Sequence, residues 1–162
     1  MGRAMTLVLR QLAADDIERL AEMESENQPR PWSKGVFGEE LARADRIYVG
    51  AFSGDSIFGF AGAIVANDEA HVTNLLVAPD QRRKGLARQL MLELIDRCIA
   101  AGSKHLTLEV RSKKQAAIDV YRGFGLAPVG VRKGYYGDDD ALVLWAYDID
   151  SAAYALRLET LR

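Results

Sequence analysis

The sequence predicts one α/β (α+β) domain in which a mixed, mostly antiparallel sheet is flanked by helices. Its 162 residues suit a single domain and are too few for two comfortable ones. Strand-like and helix-like segments follow one another in the order β α α β β β α β α β β. The fourth strand, a long helix and the fifth strand have the pattern of a right-handed crossover, so those two strands are expected to be parallel.

The first half of the chain predicts two helices between its strands. Residues 15–23 carry apolar side chains at helical spacing, with Asp15 as a plausible cap. The prolines of residues 28–31 interrupt this pattern, and Ser33 can cap a second helix. Residues 53–56 have the composition and length of a hairpin turn. Strands are predicted at residues 6–12, 46–52, 57–66 and 70–77.

The second half contains the longest helix of the chain, predicted over residues 85–101 and ended by Gly102. Residues 105–111 alternate cleanly between apolar and polar side chains, which predicts the fifth strand. A short helix at 114–122 and strands at 128–133 and 141–148 complete a domain that spans residues 1–150. The tail, residues 151–162, is expected to be a helical turn or a frayed end and is given no function.

Composition excludes several classes of protein. Hydrophobic residues make up 49% and charged residues 27%, which is typical of a globular chain with a sizeable core. A net charge of −2 is too balanced for a general nucleic-acid or membrane-surface binder. The halves differ, since residues 1–80 hold 7 basic and 13 acidic side chains and residues 81–162 hold 14 and 10. An anion site is therefore expected in the second half.

The sequence shows no pattern for a disulfide, a zinc site, a secretory signal or a membrane span. The single cysteine, Cys98, cannot form an intramolecular disulfide, and with His71 and His105 it gives no zinc-ligand spacing. Both histidines are interpreted as structural. Residues 1–5 lack the apolar stretch of a secretory signal, and no run approaches the roughly 18 apolar residues of a membrane span. We therefore expect no metal, no membrane partner and a cytoplasmic location.

A basic turn with a glycine joins the fourth strand to the long helix. The N–H groups at a helix N-terminus favour a phosphate, and small residues at Gly85 and Ala87 let a phosphate approach the backbone. The same residues also fit a solvated basic turn that only caps an amphipathic helix. No Walker sequence occurs, and the glycine pair at 123–125 lacks the third glycine of a dinucleotide loop. The side chains that add positive charge are Arg82, Arg83, Lys84 and Arg88.

The pattern Arg82-x-x-Gly85-x-Ala87 after an apolar strand resembles the acetyl-CoA pyrophosphate loop of the GNAT superfamily of N-acetyltransferases. The resemblance extends over roughly residues 5–150 and is nearest to the RimI type, the ribosomal-protein-alanine N-acetyltransferases. The further stretches that carry it are Pro31-Trp32-Ser33, Leu108-Glu109-Val110-Arg111, Ala117-Ile118-Asp119-Val120-Tyr121 and Tyr135-Tyr136.

This resemblance implies the acyl-CoA N-acyltransferase fold, with a cleft where strands four and five splay apart. It also implies acetyl-CoA as co-substrate, its pantetheine arm pairing with strand four like an added strand. Lys114 stands where the family often has Asn, so an amide contact is missing there or is replaced by a cation that reaches a CoA phosphate. The cofactor-binding residues implied are Leu75, Leu76, Val77, Arg82, Arg83, Lys84, Gly85, Leu86, Ala87, Arg88 and Lys114.

The resemblance assigns a proton acceptor to Glu109 and a proton donor to Tyr121. Attack of an amine on a thioester needs a neutral amine and a proton for the departing thiolate, and these two residue types can serve both needs. Each has an ordinary alternative, because strand glutamates are usually solvated and helical tyrosines usually pack on the core. Cys98, on the apolar face of the long helix, is interpreted as core and not as a nucleophile.

The implied substrate is the N-terminal α-amine of a protein, foremost the alanine of a basic ribosomal protein. By resemblance, Trp32, Tyr135 and Tyr136 flank the peptide groove. The aspartates at 138–140 would favour a basic incoming chain, or alternatively form only a polar turn. Acetylation of lysine or of a small-molecule amine, and an acyl-CoA-binding regulator without catalysis, remain alternatives.

Overall fold

The computed structural model describes residues 6–162, so the expectation about a signal at residues 1–5 lies outside the described residues. The strands are β1 Val8–Gln11, β2 Arg46–Ser53, β3 Ser56–Ala66, β4 Glu69–Val77, β5 His105–Arg111, β6 Ala127–Arg132 and β7 Ala141–Ala146. The helices are α1 Ile17–Asn27, α2 Lys34–Ala42, α3 Leu86–Ala100, α4 Gln115–Gly123 and α5 Ala152–Leu161.

All seven strands belong to one mixed sheet in the order β1-β2-β3-β4-β5-β7-β6. Every neighbouring pair is antiparallel except β4 and β5, which are parallel and joined through α3. The predicted fold class and the predicted crossover are therefore confirmed.

Two hydrophobic clusters cover the two faces of the sheet. Neighbouring residues of a strand point to opposite faces, and Phe60 and Ala61 of β3 enter different clusters. Ala61 lies in the cluster with the buried side chains of α3, whereas Phe60 contacts Phe37 of α2 edge to face, with ring centroids 5.9 Å apart. Within the described residues, no helix combines the length and the apolar character needed to cross a membrane.

Two of the predictions for the ends of elements are confirmed and one is wrong. Ser33 caps α2 as predicted, its hydroxyl accepting the N–H of Val36 at 3.2 Å. The hairpin turn between β2 and β3 is also confirmed, with Gly54 at φ +56°. The assignment of Asp15 as a cap is wrong, because a 3-10 turn precedes α1 and Asp16 accepts the N–H of Ala13 at 2.8 Å.

The C-terminal residues form a full helix, α5, which is longer than the expected turn. The Ser151 hydroxyl caps it by accepting the N–H of Tyr154 at 3.1 Å. Tyr154 and Leu158 are buried in the main cluster, and the Tyr154 hydroxyl donates to the carbonyl of Phe124 at 2.6 Å. The helix therefore packs beneath the end of α4.

Candidate active site

A gap opens in the middle of the sheet between β4 and β5. The two strands pair over three residue pairs only, the last of which is His71 with Thr107. Beyond it, β4 continues to Val77 and β5 to Arg111 without pairing with each other. The predicted splaying is confirmed, and it leaves one edge of β4 with backbone groups that no strand of the described chain pairs.

A bulge in β4 accounts for this divergence. Gly62 of β3 faces Asn74 and the next residue, Ala63, faces Val72, so Thr73 has no partner. An extra residue bends its strand and increases the local twist, which turns β4 away from β5 just after His71. Gly62 is required here, because a Cβ at this position would lie 2.2 Å from the ring of Tyr48.

The gap forms a cavity of about 540 Å³ that is lined by α1, β4, β5, α4 and the β6–β7 loop. It unites residues that are far apart in the sequence, including Glu109 of β5 and Tyr121 of α4. The other predicted site residues in its lining are Trp32, Leu75, Leu76, Val77, Arg82, Lys114 and Tyr136.

A second cavity, of about 1260 Å³, lies between the α1–α2 linker and the β6–β7 loop. Tyr135 lines it, and Lys114 and Tyr136 line both cavities, so the two are adjacent. The lining of neither cavity includes the remaining predicted residues, which cluster at the start of α3: Arg83, Lys84, Gly85, Leu86, Ala87 and Arg88.

The turn before α3 has an unusual backbone. Arg83 and Gly85 both have positive φ, at 64° and 78°, and Gly85 is the N-cap of the helix. A Cβ on Gly85 would lie 3.3 Å from a guanidinium nitrogen of Arg88. Arg82 turns toward β4, its Nε donating to the carbonyl of Val77 at 3.3 Å. The turn thus combines exposed cations with the N–H groups of a helix start.

Glu109 has a partner that sequence reasoning missed. His71 Nε2 lies 2.5 Å from Oε2 of Glu109, across the point where β4 and β5 separate. Arg132 of β6 approaches the other carboxylate oxygen at 3.9 Å. Both members of the pair are half-buried. The available signal was the predicted parallel pairing, since His71 is the third residue of β4, Thr107 is the third residue of β5, and Glu109 follows Thr107 on the same face.

Tyr121 is buried on α4 and faces the cavity. Burial, assisted by the nearby Tyr136, raises the pKa of the Tyr121 phenol to about 12. The phenol therefore stays protonated at neutral pH. Burial likewise raises the pKa of Tyr136.

Glu24 of α1 is a second carboxylate in the lining that sequence reasoning missed. It is only 4% exposed, and burial raises its pKa against the opposing effect of the nearby backbone N–H of Trp32. Its position four residues after the buried Leu20 places both on one helix face, and this spacing was the signal available in the sequence.

The aromatic residues predicted to flank the substrate are held by other aromatic rings. Trp32 contacts Phe37 edge to face with ring centroids 5.5 Å apart. Tyr135 and Tyr136 contact each other in the same manner at 4.9 Å. Their placement at the two sides of the cavities is compatible with a binding role.

The aspartates at 138–140 make contacts within the protein, which favours the alternative of a polar turn. Asp138 accepts from Arg111 at 2.7 Å, and this hydrogen bond lowers the pKa of the carboxyl. Asp139 accepts from the hydroxyl of Ser112 and from the N–H of Lys113. Asp140 accepts the N–H of Gly134 at 2.8 Å.

Cys98 and His105 lie outside both cavities. Cys98 is fully buried in the main core, as predicted, and burial raises the pKa of its thiol to about 12. His105 Nδ1 accepts the N–H of Asp148 at 3.2 Å, which is a structural contact.

Residues 14–126, more than half of the chain, match the acetyltransferase (GNAT) family. The chain belongs to this family. The putative [ribosomal protein bS18]-alanine N-acetyltransferase of Bacillus subtilis is 31% identical over 140 residues, which are 85% of this chain and 93% of that protein. The N-alpha-acetyltransferase RimI of Mycobacterium tuberculosis is 36% identical over 131 residues, 77% of this chain and 81% of that protein.

A solved structure agrees with this membership. The ribosomal-protein-S18-alanine N-acetyltransferase from Escherichia coli superimposes with a TM-score of 0.81 at 28% identity, over 88% of this chain and 94% of that one. As a GNAT acetyltransferase, the chain uses acetyl-CoA as its acetyl donor.

The residues of this chain fit that donor. The unpaired edge of β4 offers backbone hydrogen bonds to the amides of a pantetheine arm. The start of α3 offers N–H groups and exposed cations to a diphosphate, and at Gly85 no Cβ occupies the space beside the backbone.

Proposed function

We propose that this acetyltransferase transfers the acetyl group of acetyl-CoA to the N-terminal α-amine of a protein, namely the N-terminal alanine of a small-subunit ribosomal protein. The observation that carries the proposal is the presence of Glu109 and Tyr121 in one cavity beside the free edge of β4. The names of the Bacillus and Escherichia relatives support the choice of substrate. Ribosomal proteins are basic as a class, and we propose that the encounter occurs in the cytoplasm.

In the proposed reaction, Glu109 accepts the proton that the amine loses. An α-amine has an ordinary pKa of about 7.7–8.0, so a useful fraction is neutral at pH 7 and a carboxylate is a sufficient base. The contact with His71 fixes the carboxylate, and we assign His71 the part of a positioning residue. The amine nitrogen forms the new bond to the acetyl carbon as the bond from that carbon to sulfur breaks.

We propose that Tyr121 acts on the leaving-group side through the proton of its phenol. A phenol with a pKa of about 12 gives its proton to a thiolate, whose ordinary pKa is about 8.5, only uphill. Tyr121 therefore donates a hydrogen bond that stabilises the negative charge on sulfur. The thiolate then takes a proton from solvent, and Glu109 releases to solvent the proton that it accepted from the amine. No covalent enzyme intermediate is required.

Binding of the two substrates is divided between the two sides of the gap. For acetyl-CoA we propose the backbone of Leu75, Leu76 and Val77 for the arm and the start of α3 for the diphosphate, with Lys114 as an additional cation. For the peptide we propose Trp32, Tyr135 and Tyr136. The residues proposed for the diphosphate are Arg82, Arg83, Lys84, Gly85, Leu86, Ala87 and Arg88.

The test is an assay of thiol release from acetyl-CoA with a peptide that begins with alanine. We expect turnover with the free α-amine and none when the same amine is blocked. Turnover of a blocked peptide at lysine would contradict the N-terminal assignment. Tight CoA binding without any turnover would favour the alternative of an acyl-CoA-binding regulator without catalysis. Mass spectrometry of protein N-termini from cells with and without this protein then identifies the substrate.

A further inference from the structure

Part of one sheet face lies outside both hydrophobic clusters. β5 and β7 turn Leu106 and Leu144 into the main cluster, on the side of α3. The cluster on the opposite face draws its buried residues from positions 12 to 76, so it covers strands of the first half-sheet only. The alternate side chains of β7, Val143 and Trp145, are members of neither cluster as the structure describes them. The face of β5 and β7 that carries them is therefore open.

Two stacked aromatic rings lie on this open face, and we call them the aromatic platform. Trp145 and Tyr147 have ring centroids 5.5 Å apart and ring planes only 17° from parallel. The ring of His105 supports Tyr147 edge to face, also at 5.5 Å. Tyr147 is nevertheless 59% exposed. Aromatic surface that is held by its neighbours and left open to solvent is typical of a surface that binds another molecule.

Carboxylates surround the platform. The β3–β4 turn, the α3–β5 loop and the segment after β7 meet here, because the N–H of His105 donates to the carbonyl of Asp68 and its Nδ1 accepts the N–H of Asp148. Glu69 pairs with His105 in the parallel register, which places both side chains on the open face. The charged residues of these segments are one lysine, Lys104, and four carboxylates, Asp68, Glu69, Asp148 and Asp150. The rim of the platform is therefore negative.

Other cations of these strands do not cancel this charge. Arg111 and Arg132 both lie opposite Ala141, at the far end of β5 and β6, beside Asp138 and Glu109. Six residues separate Arg111 from the start of β5, which is about 20 Å along the strand. Among residues 6–162, the rim carboxylates after Asp68 have no cation within ion-pair distance. The negative charge of the rim is thus available to a partner.

The strand register relates the platform to Glu109. Glu109 pairs with Val143 and Thr107 with Trp145, so Trp145 lies about 7 Å along the strands from Glu109. His105 lies four residues from Glu109 on the same face, about 13 Å along β5. A standard protein interface buries about 800 Å² on each partner, which corresponds to a disc of about 16 Å radius. A folded protein that docks with its N-terminus at Glu109 therefore covers the platform.

We propose that the aromatic platform and its rim dock the body of the protein substrate, outside the residues that enter the cavity, by binding its arginine and lysine side chains. Trp145 and Tyr147 offer ring faces to a cation, and Glu69 and Asp148 offer carboxylates. The inference rests on the proposed function, in which the substrate is a ribosomal protein and basic as a whole. A second copy of this chain, with its net charge of −2, lacks that complementarity.

The experiment compares two substrates with the same N-terminus. One is the intact ribosomal protein that mass spectrometry of N-termini identifies, and the other is an amidated tripeptide of its first three residues. A tripeptide spans about 10 Å, so it cannot extend from Glu109 to the far end of the platform. At low ionic strength, we expect Tyr147→Ala and Glu69→Lys each to lower kcat/KM for the intact protein by about threefold to tenfold, through KM. For the tripeptide, kcat/KM should stay within about twofold.

Matched variants separate docking from net charge and from loss of structure. Glu69→Gln removes the charge without reversing it and should have a smaller effect than Glu69→Lys. Glu159→Lys makes the same change of net charge at an exposed residue of α5, which packs on the other face of the sheet, and should leave both substrates unaffected. Tyr147 is largely exposed, so its alanine variant should remain folded. The effect of Glu69→Lys should shrink at about 0.5 M salt, where the Debye length is only a few ångströms.

Unchanged kcat/KM for the intact protein in both variants would overturn the docking surface and leave the proposed function standing. Equal losses for the protein and the tripeptide would trace the effect to Glu109 and would also overturn it. A dimer of the wild type that Tyr147→Ala dissociates in sedimentation experiments would assign the platform to a contact between copies, against the proposal. Absence of turnover with both substrates, or of any altered ribosomal N-terminus in cells, would overturn the proposed function together with this inference.

Discussion

At the scale of single residues, burial sets the protonation state of Tyr121 and with it the part this side chain can play. Tyr121→Phe removes one hydroxyl from a buried ring and leaves the packing in place. We expect kcat to fall by about 10²-fold, the scale for one donor to a developing negative charge, with little change in the KM for acetyl-CoA. Steady-state kinetics decide this, and an unchanged kcat would remove the proposed role.

The wild-type pH profile gives an independent check on Tyr121. Its raised pKa, about 12, means that the phenol is still protonated well above neutral pH. The rate should rise as the substrate amine loses its proton, with a pKa of about 7.7–8.0, and then stay level to about pH 10. A decline between about pH 9 and 10 would indicate a phenol with an ordinary pKa.

His71 should affect the reaction through Glu109. We expect His71→Ala to lower kcat by about tenfold and to alter the pH profile, because Glu109 loses the group that fixes it. His71→Gln keeps a donor and should retain more activity. His105→Ala is the matched control, since His105 lies outside both cavities. Equal effects of the two alanine variants would indicate general destabilisation.

Glu24 tests the effect of a buried carboxylate on stability. Its pKa is raised in the folded protein, so wild-type stability falls as pH rises from below the unfolded pKa, about 4.3, through the folded pKa. Glu24→Gln lacks this loss, because its side chain has nearly the same size and does not titrate. The free energy of unfolding of the variant minus that of the wild type should therefore be more positive at pH 7.5 than at pH 4.5. Urea denaturation at both values measures the difference, and a difference that shrinks toward pH 7.5 would contradict it.

At the scale of elements, glycines at the two ends of α3 allow a test of whether the start of this helix binds the diphosphate. Gly85 and Gly102 both have positive φ, at 78° and 99°, on opposite ends of α3. Alanine at either position should cost about 1–2 kcal/mol of folding stability. Only Gly85→Ala should also raise the KM for acetyl-CoA, by about tenfold, because it fills the space where a phosphate would approach. Equal KM values in the two variants would exclude a diphosphate site at Gly85.

Elements with a strong local signal were predictable, and those that depend on distant contacts were not. The sequence predicts β5 at its observed bounds because His105–Arg111 alternates without interruption. The bulge at Thr73 has no local signal, since it is defined by the partner strand. The length of α5 was also not predicted, because Tyr154 and Leu158 can be recognised as core residues only from their packing in the cluster that contains Phe124.

The candidate site shows the same division. Glu109 and Tyr121 were selected through a family resemblance, and the structure brings both to one cavity. Their roles stay predictions until variants are measured. His71 and Glu24 were not selected, because a lone histidine or a glutamate in a helix becomes notable only when the register of β4 with β5 and the burial of α1 are known.

At the scale of the whole molecule, the C-terminal helix supports the catalytic side of the sheet. Tyr154 and Arg157 of α5 both donate to carbonyls at the end of α4, which carries Tyr121. Leu158→Ala removes a side chain that is 3% exposed and should cost about 2–4 kcal/mol of stability. Leu156→Ala, on the same helix but 70% exposed, should cost little. Thermal or chemical denaturation compares the two, and similar losses would show that the burial of Leu158 is not what matters.

The three residue pairs between β4 and β5 form a narrow seam between two half-sheets, β1–β4 on one side and β5, β7 and β6 on the other. A molecule bound across the gap contacts both half-sheets and stabilises their association. Binding to the folded state alone raises stability by about 2.7 kcal/mol at a ligand concentration one hundred times the Kd. The melting temperature of this protein should therefore rise with the concentration of the donor, which reports binding without any turnover.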